Sequence, residues 1–243
     1  MKFHQGKSLL LAVACVSLAG AFRPVRADAP SPSPLTAAQI VDEMQRQNQA
    51  RTKALKHLKS IRHYEVEYQG YSKKIVAKME VEFTLDTTSG KSFRILSQSG
   101  SKMLCEKVLK RAVESEKEAS QDKSATALTA ANYRFQLAGS ESLGGRPAFV
   151  LDVEPVTPSK FLYKGKIWVD AADFALVKID AEPAKNPSFW IARTRILQTF
   201  SKTGGFWQPE RNRSETKVRI GGTAVFTIDY GACQIESNVA LVH

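Results

Sequence analysis

Between Tyr64 and Leu85 apolar and polar residues alternate with a period of two. Tyr64, Val66 and Tyr68 are separated by Glu65 and Glu67; Ile75, Ala77, Met79, Val81, Phe83 and Leu85 are interleaved with residues such as Lys78, Glu80, Glu82 and Thr84. Side chains along an extended strand point to opposite faces in turn, so this order gives strands with one apolar and one wet face. Coiled into a helix, the same residues would be scattered around the whole circumference, with no face to bury. Phe93 and Ile95 resume the pattern after the turn residues Thr87-Thr88-Ser89-Gly90. Further strands are expected from Asn132 to about Tyr230, broken by Gly, Pro, Asp or Asn. Strands in blocks, not alternating with helices, predict an antiparallel sheet of the α+β class.

Two segments follow a helical period instead. Thr36 and Gln39 form a capping box, and Ile40, Val41, Met44, Leu55 and Leu58 recur at near-helical spacing, which predicts a helix from about Ala37 to Lys59. Its apolar stripe is narrow, so it is expected to lie on another surface. Leu104, Val108 and Ala112, with Cys105, Leu109 and Val113, predict a second helix over Met103–Ala119, as a helical insertion at about 101–119. Ser120–Ala130 reads as a polar linker. The count is three strands before this insertion and about eight after it.

The N-terminus has the pattern of an export signal: Lys2 and Lys7, an apolar run from Ser8 to Phe22, and Val25-Arg26-Ala27 as a small-x-small ending. The expected organisation is a signal peptide over 1–27, a Pro/Ser linker over 28–35 and a single domain over 36–243. Cleavage would remove Lys2, Lys7, Arg23 and Arg26 and no acids, lowering the formal charge from +11 to +7. That balance favours anionic membrane surfaces or acidic partners, and is weak support for nucleic acid. The expected location is the periplasm, or the outer membrane as a lipoprotein if Cys15 is acylated. Ala12 fits the lipoprotein pattern poorly, which favours Cys15 as a passive apolar residue. Cys105 and Cys233 are open to either a disulfide or two buried thiols.

Catalytic motifs are missing from the sequence. The mature chain has His57, His63 and His243, none at metal-ligand spacing with another His or Cys, and there is no G-x-S-x-G, phosphate-binding Gly loop or H-E-x-x-H. Asp170 and Asp173 fall where a tight turn is expected, and Asp is an ordinary turn former. No enzyme, cofactor or metal is therefore expected. Inward-facing aromatics fit either a packed core or a cavity, and patterning does not separate the two. Arg211, Arg213, Lys217 and Arg219, with Glu215 among them, occupy alternate positions; Val218 and Ile220 take the other side. That stripe reads either as a solvated outer face or as a docking surface, with Arg193 and Arg195 extending it if their strand is adjacent.

The segments GKIWVD, DFALVKI, KNPSFW, GGFWQP and IDY, behind an export signal and an amphipathic helix, resemble the outer-membrane lipoprotein-sorting proteins of the LolA-like superfamily over about residues 36–231. The resemblance implies an open, incomplete antiparallel β-barrel of about 11 strands, with the N-terminal helix and a second helix covering its concave face. It implies shelter for lipoprotein acyl chains or lipid during transfer, with an inner- or outer-membrane transfer partner. The alternative role is a sensor or assembly factor that docks a protein through the basic face. The candidate cavity residues are Met79, Val81, Phe83 and Leu85 on one strand, Phe93 and Ile95 on the next, and Phe135, Phe149 and Leu151 further on. The family's ligand-gating arginine is not assigned to any position. The intact mass of the exported protein should equal the chain from Asp28 onward, and a mass carrying a diacylglyceryl group on Cys15 would overturn that cleavage site.

Overall fold

The computed structural model describes residues 35–238 apart from 187, 188, 190 and 220. The expected export signal, Cys15, the expected linker up to Pro34, Trp190 and Ile220 lie outside the described residues. The strands are β1 (Leu55–Gln69), β2 (Lys74–Asp86), β3 (Gly90–Gly100), β4 (Tyr133–Leu143), β5 (Arg146–Pro155), β6 (Tyr163–Asp170), β7 (Leu176–Pro183), β8 (Ile191–Thr203), β9 (Phe206–Val218), β10 (Thr223–Tyr230) and β11 (Gln234–Ser237). They form one 11-stranded sheet in the order β3-β2-β1-β10-β9-β8-β7-β6-β5-β4, with β11 also on β1. Each of these neighbouring pairs is antiparallel. The ends of the order, β3 and β4, do not pair, so the sheet stays open, as expected for an incomplete barrel.

The first helix is α1 (Ala37–Ala54). Its capping box is present: the Thr36 hydroxyl accepts from the Gln39 amide at 3.3 Å, and the Gln39 side chain accepts from the Thr36 amide at 2.8 Å. The helix ends five residues earlier than its sequence spacing indicates. Leu55 and Leu58 belong to β1, where a bulge between Leu55 and His57 adds one residue. The bulge lets two leucines three apart share one buried cluster with Phe83 and Phe206. A spacing of three therefore imitates a helix turn inside a strand.

Between β3 and β4 the chain forms α2 (Lys102–Leu104), a π-helical turn (Cys105–Leu109), α3 (Lys110–Gln121) and α4 (Lys123–Thr126). The inserted helix thus has its expected place, but one turn is underwound, with i→i+5 spacing. Because β3 and β4 are the two outermost strands, this connection must cross from one edge of the sheet to the other. Cys105 and Cys233 are separate thiols in different apolar clusters.

Backbone irregularities curl the sheet. Bulges fall at Leu137/Gly139, Trp168/Val169 and Thr199/Phe200, each adding local twist. Gly165, inside β6, has φ +146°, and a Cβ there would sit 2.5 Å from the Asp180 carbonyl oxygen and 2.7 Å from the Ala181 Cα. The turn after β6 is held by Asp170, whose carboxylate accepts from the Ala172 and Asp173 amides at 3.0 and 2.8 Å and pairs with Arg146 at 2.6 Å. Asp170 thus builds the turn, whereas the Asp173 carboxylate accepts from Arg146, Lys202 and Trp207 at 3.0, 2.9 and 2.8 Å. Gly165→Ala should destabilise the fold by about 1–3 kcal/mol, from overpacking against β7; urea unfolding that leaves the midpoint unchanged would show that the strands can separate freely there.

Candidate ligand-binding face

The registers determine which side chains share the inner face. One row crosses the sheet as Met79, Tyr64, Ile228, Asn212, Gln198, Ile179, Ile167, Leu151 and Leu137. The next runs Ala77, Val66, Phe226, Ser214, Ile196, Ala181, Gly165, Val153 and Phe135. Both rows are apolar at their flanks; the first is polar over β8 and β9, at Gln198 and Asn212, and the second over β9, at Ser214.

A helix covers each apolar flank. Ile40, Val41 and Met44 of α1 pack on Leu151, Val153, Ile167, Val169 and Ile179. Leu104, Cys105, Leu109 and Val113, from the connection between β3 and β4, pack on Tyr64, Val66, Ala77, Met79 and Val81. Burying each large aliphatic side chain stabilises by roughly 1.5–3 kcal/mol. These two clusters are distinct, with the inner face of β8 and β9 between them.

The nine cavity candidates divide among these places. Met79 and Val81 lie buried beneath the second helical segment. Phe83 and Leu85 join the cluster of Leu55, Leu58 and Phe206, and Phe93 touches both groups. Phe135, Phe149 and Leu151 are on the α1 flank. Ile95, on the edge strand, is 40% exposed. The fold therefore brings the nine onto one face but into separate patches.

Arg62 lies on the same apolar face, only 5% exposed. Its register partners are Val81 and Tyr230. The guanidinium sits 3.6 Å from the Phe83 ring centroid and 4.9 Å from that of Tyr230. Its Nη1 donates to both carboxylate oxygens of Glu116 on α3, at 3.0 and 2.9 Å. Burial opposes the charge on Arg62, but Glu116, aided by Tyr64 and Tyr230, outweighs it and holds the guanidinium above its ordinary pKa. Burial, then Glu116, raises the pKa values of Tyr64 and Tyr230. Arg62 Nε and the Tyr64 hydroxyl have no hydrogen-bond partner among the described residues. The sequence did carry a signal for Arg62: it shares the parity of Tyr64, Val66 and Tyr68, so it is a cation on an apolar face.

The basic stripe faces outward. Arg211, Arg213, Lys217 and Arg219 are all exposed, and β8 with Arg193 and Arg195 is adjacent, as the stripe required. Carboxylates intervene: Arg211 pairs with Asp229 at 2.5 Å, Arg195 with Asp180 at 2.6 Å, Arg193 with Glu182 at 3.4 Å and Arg213 with Glu215 at 3.7 Å. Arg219 lies over the Phe189 ring at 5.1 Å. The outer face also carries an open dish of about 630 Å³ rimmed by Arg134, Asp152, Glu154, Lys164 and Glu182. A smaller cavity of about 320 Å³ lies between Leu143, Ala148, Val177 and Trp207. Among the described residues no group of three His, Cys, Asp or Glu is placed to hold a metal ion.

No family model matches the chain, and no curated protein matches it. Among solved structures it is similar to a DUF1329 family protein from Desulfovibrio piger: 12% identity, 84% of this chain and 95% of that chain covered, TM-score 0.43. A LolA superfamily protein from Nitrosomonas europaea is also 12% identical, with 84% and 94% covered and a TM-score of 0.37. The lipoprotein LppX of Mycobacterium tuberculosis is 12% identical, with 79% and 93% covered and a TM-score of 0.28. The superfamily that the sequence segments resemble is thus among these likenesses. Their identities and TM-scores are too low to carry an argument about function, which rests below on the chain's own geometry.

Replacing Glu116 by Ala should destabilise the protein by about 2 kcal/mol, because it leaves a buried guanidinium unpaired. Glu116 is 29% exposed, so the loss should fall short of that for a fully enclosed pair. Removing both charges, as Arg62→Met with Glu116→Leu, should recover most of that loss. A thermal-melt cycle in which the double variant is as unstable as both singles added together would show the two residues to be uncoupled.

Proposed function

We propose that the protein is a non-catalytic binding protein of the cell envelope that holds acyl chains of a lipid or lipoprotein against the inner face of its sheet. The observation that carries this is the pairing of an unclosed sheet with helices laid over its apolar flanks. An apolar face sealed by strand closure would be a permanent core. Here the seal is helical, and part of it is a connection that runs from edge to edge. Such a segment can lift without breaking the strand ladder, exposing Met79, Val81 and Leu109 to an apolar guest.

Arg62 and Glu116 act as the latch in this reading. Their ion pair ties α3 to β1 across the mouth of the sheet and is the polar tie beneath an otherwise apolar cover. A guest that enters beneath the helix must part the two groups, so the latch sets the cost of opening. The π-helical turn at Cys105–Leu109 lies in the same cover, where a widened, underwound turn gives the helix a place to flex. The periplasm as location, the export signal and a transfer partner belong to this proposal, as do the nine cavity residues.

The basic outer stripe supports docking less well, because its cations alternate with carboxylates and several are paired. Arg219 and Lys217, at the end of β9, are where an acidic partner or anionic surface would meet the stripe in the alternative role.

Gently purified protein should carry lipid that native mass spectrometry detects, and a fluorescent fatty-acid probe should bind it. Glu116→Ala should exchange that probe about 10-fold faster than the wild type, in line with the ~1.4 kcal/mol per decade relation. A lipid-free protein that binds no probe would sink the acyl-shelter proposal. Equal exchange rates in a folded Glu116→Ala would sink the latch alone.

A further inference from the structure

Between the helix-covered flanks, the inner face of β8 and β9 changes character. Its side chains are Thr194, Ile196 and Gln198 on β8, facing Thr216, Ser214 and Asn212 on β9. Five of the six carry hydrogen-bonding groups, and none carries a charge. Thr194 is 8% exposed and the others are half-buried, so this strip is neither bulk surface nor sealed core. On both sides the rows turn apolar, to Phe226 and Ile228 in one direction and Ile179 and Ala181 in the other.

A cradle for hydrocarbon alone has no use for such a floor. Beneath a guest, each half-buried amide and hydroxyl would give up its water, and that loss costs free energy unless a partner replaces it. The strip satisfies itself only in part. Asn212 donates to the Gln198 side-chain oxygen at 3.2 Å, and the Thr194 and Thr216 hydroxyls bond at 2.9 Å. Among the described residues that leaves an amide oxygen on Asn212, an amide nitrogen on Gln198 and the Ser214 hydroxyl without partners. They present both donors and acceptors, and no charge, to whatever lies above them.

The geometry points to a subsite for the uncharged, carbonyl-bearing linkage of a multi-acyl lipid, the ester or amide region where its chains join. This rests on the acyl-shelter proposal and deepens it. The linkage sits over Gln198, Asn212 and Ser214, while the chains diverge toward the two flanks, one under α1 and one under the Lys102–Gln121 helices. Ester carbonyls accept from Gln198 and Ser214; an amide or hydroxyl also donates to Asn212. A fatty acid, whose only polar group is a charged carboxylate, matches this floor poorly, because the strip offers it no cation. Esters of glycerol and the acylated cysteine of a lipoprotein share this chemistry.

Competition binding tests the subsite. Dodecylpyrene, a pure hydrocarbon, is the reporter, and dipalmitoylglycerol, a synthetic dipalmitoyl-cysteine lipopeptide and palmitate are the competitors. In the wild type, dipalmitoylglycerol or the lipopeptide should bind at least 10-fold more tightly than palmitate; whichever binds more tightly identifies the source of the linkage. Gln198→Leu with Asn212→Leu should abolish that preference and leave dodecylpyrene affinity within twofold. If that variant fails to fold, Ser214→Ala, which removes a proposed donor with little change of shape, should reduce the preference when read the same way. Dodecylpyrene binding with no preference for neutral linkages, or a preference that survives in a folded variant, overturns the subsite and leaves the acyl-shelter proposal standing. No binding of dodecylpyrene or any competitor overturns both.

Discussion

An antiparallel sheet with one apolar face and two unpaired edges has to hide that face, and everything else in this protein follows from how it does so. Closing the strands into a barrel would bury the face in strand-to-strand packing. This chain leaves β3 and β4 apart and uses helices instead. α1 covers β4 to β7, and the segment between β3 and β4 covers β1 and β2. The second cover is imposed by topology, because the chain must travel between the two outermost strands and the apolar face is what it crosses. Hydrophobic burial then holds each helix down without any shared backbone ladder.

This division makes the cover separable from the wall. Strand pairing along the sheet is a cooperative network of backbone hydrogen bonds, whereas the helices touch it through a few side chains each. A buried polar tie is Arg62 to Glu116, enclosed by Phe83 and Tyr230. A buried ion pair contributes little net stability compared with an apolar pair of similar volume, yet it fixes geometry and is costly to split. It therefore suits a latch better than a structural rivet. The polar floor over β8 and β9 completes the arrangement: two apolar patches with a neutral hydrogen-bonding seam between them.

Much of the sheet was legible from residue order, because period-two alternation states which residues share a face before any partner is known. The strand around Met79 and Val81, the capping box at Thr36 and the inserted helix near Leu104 all came from spacing alone. Leu55 and Leu58 misled for a specific reason: a β-bulge changes parity, so two inward strand residues three apart imitate a helical turn. The candidate site was less legible. Spacing places Met79 and Leu151 on apolar faces, but it does not say that a helix from elsewhere in the chain covers each one. Thr194, Gln198, Asn212 and Thr216 carry no motif, since each is an ordinary polar residue in a strand until cross-strand register sets them side by side.

By itself, then, the sequence determined the class of fold, the apolar face of each strand, the caps and turns, and the absence of a recognisable catalytic motif. These depend on local periodicity and on the chemistry of neighbouring residues. Only the tertiary structure decided that β3 and β4 are the two open edges, that Arg62 meets a carboxylate 54 positions away, and that the inner face changes from apolar to polar and back. Those features depend on strand order and register, and contacts between residues so distant in the chain leave no periodic trace in it.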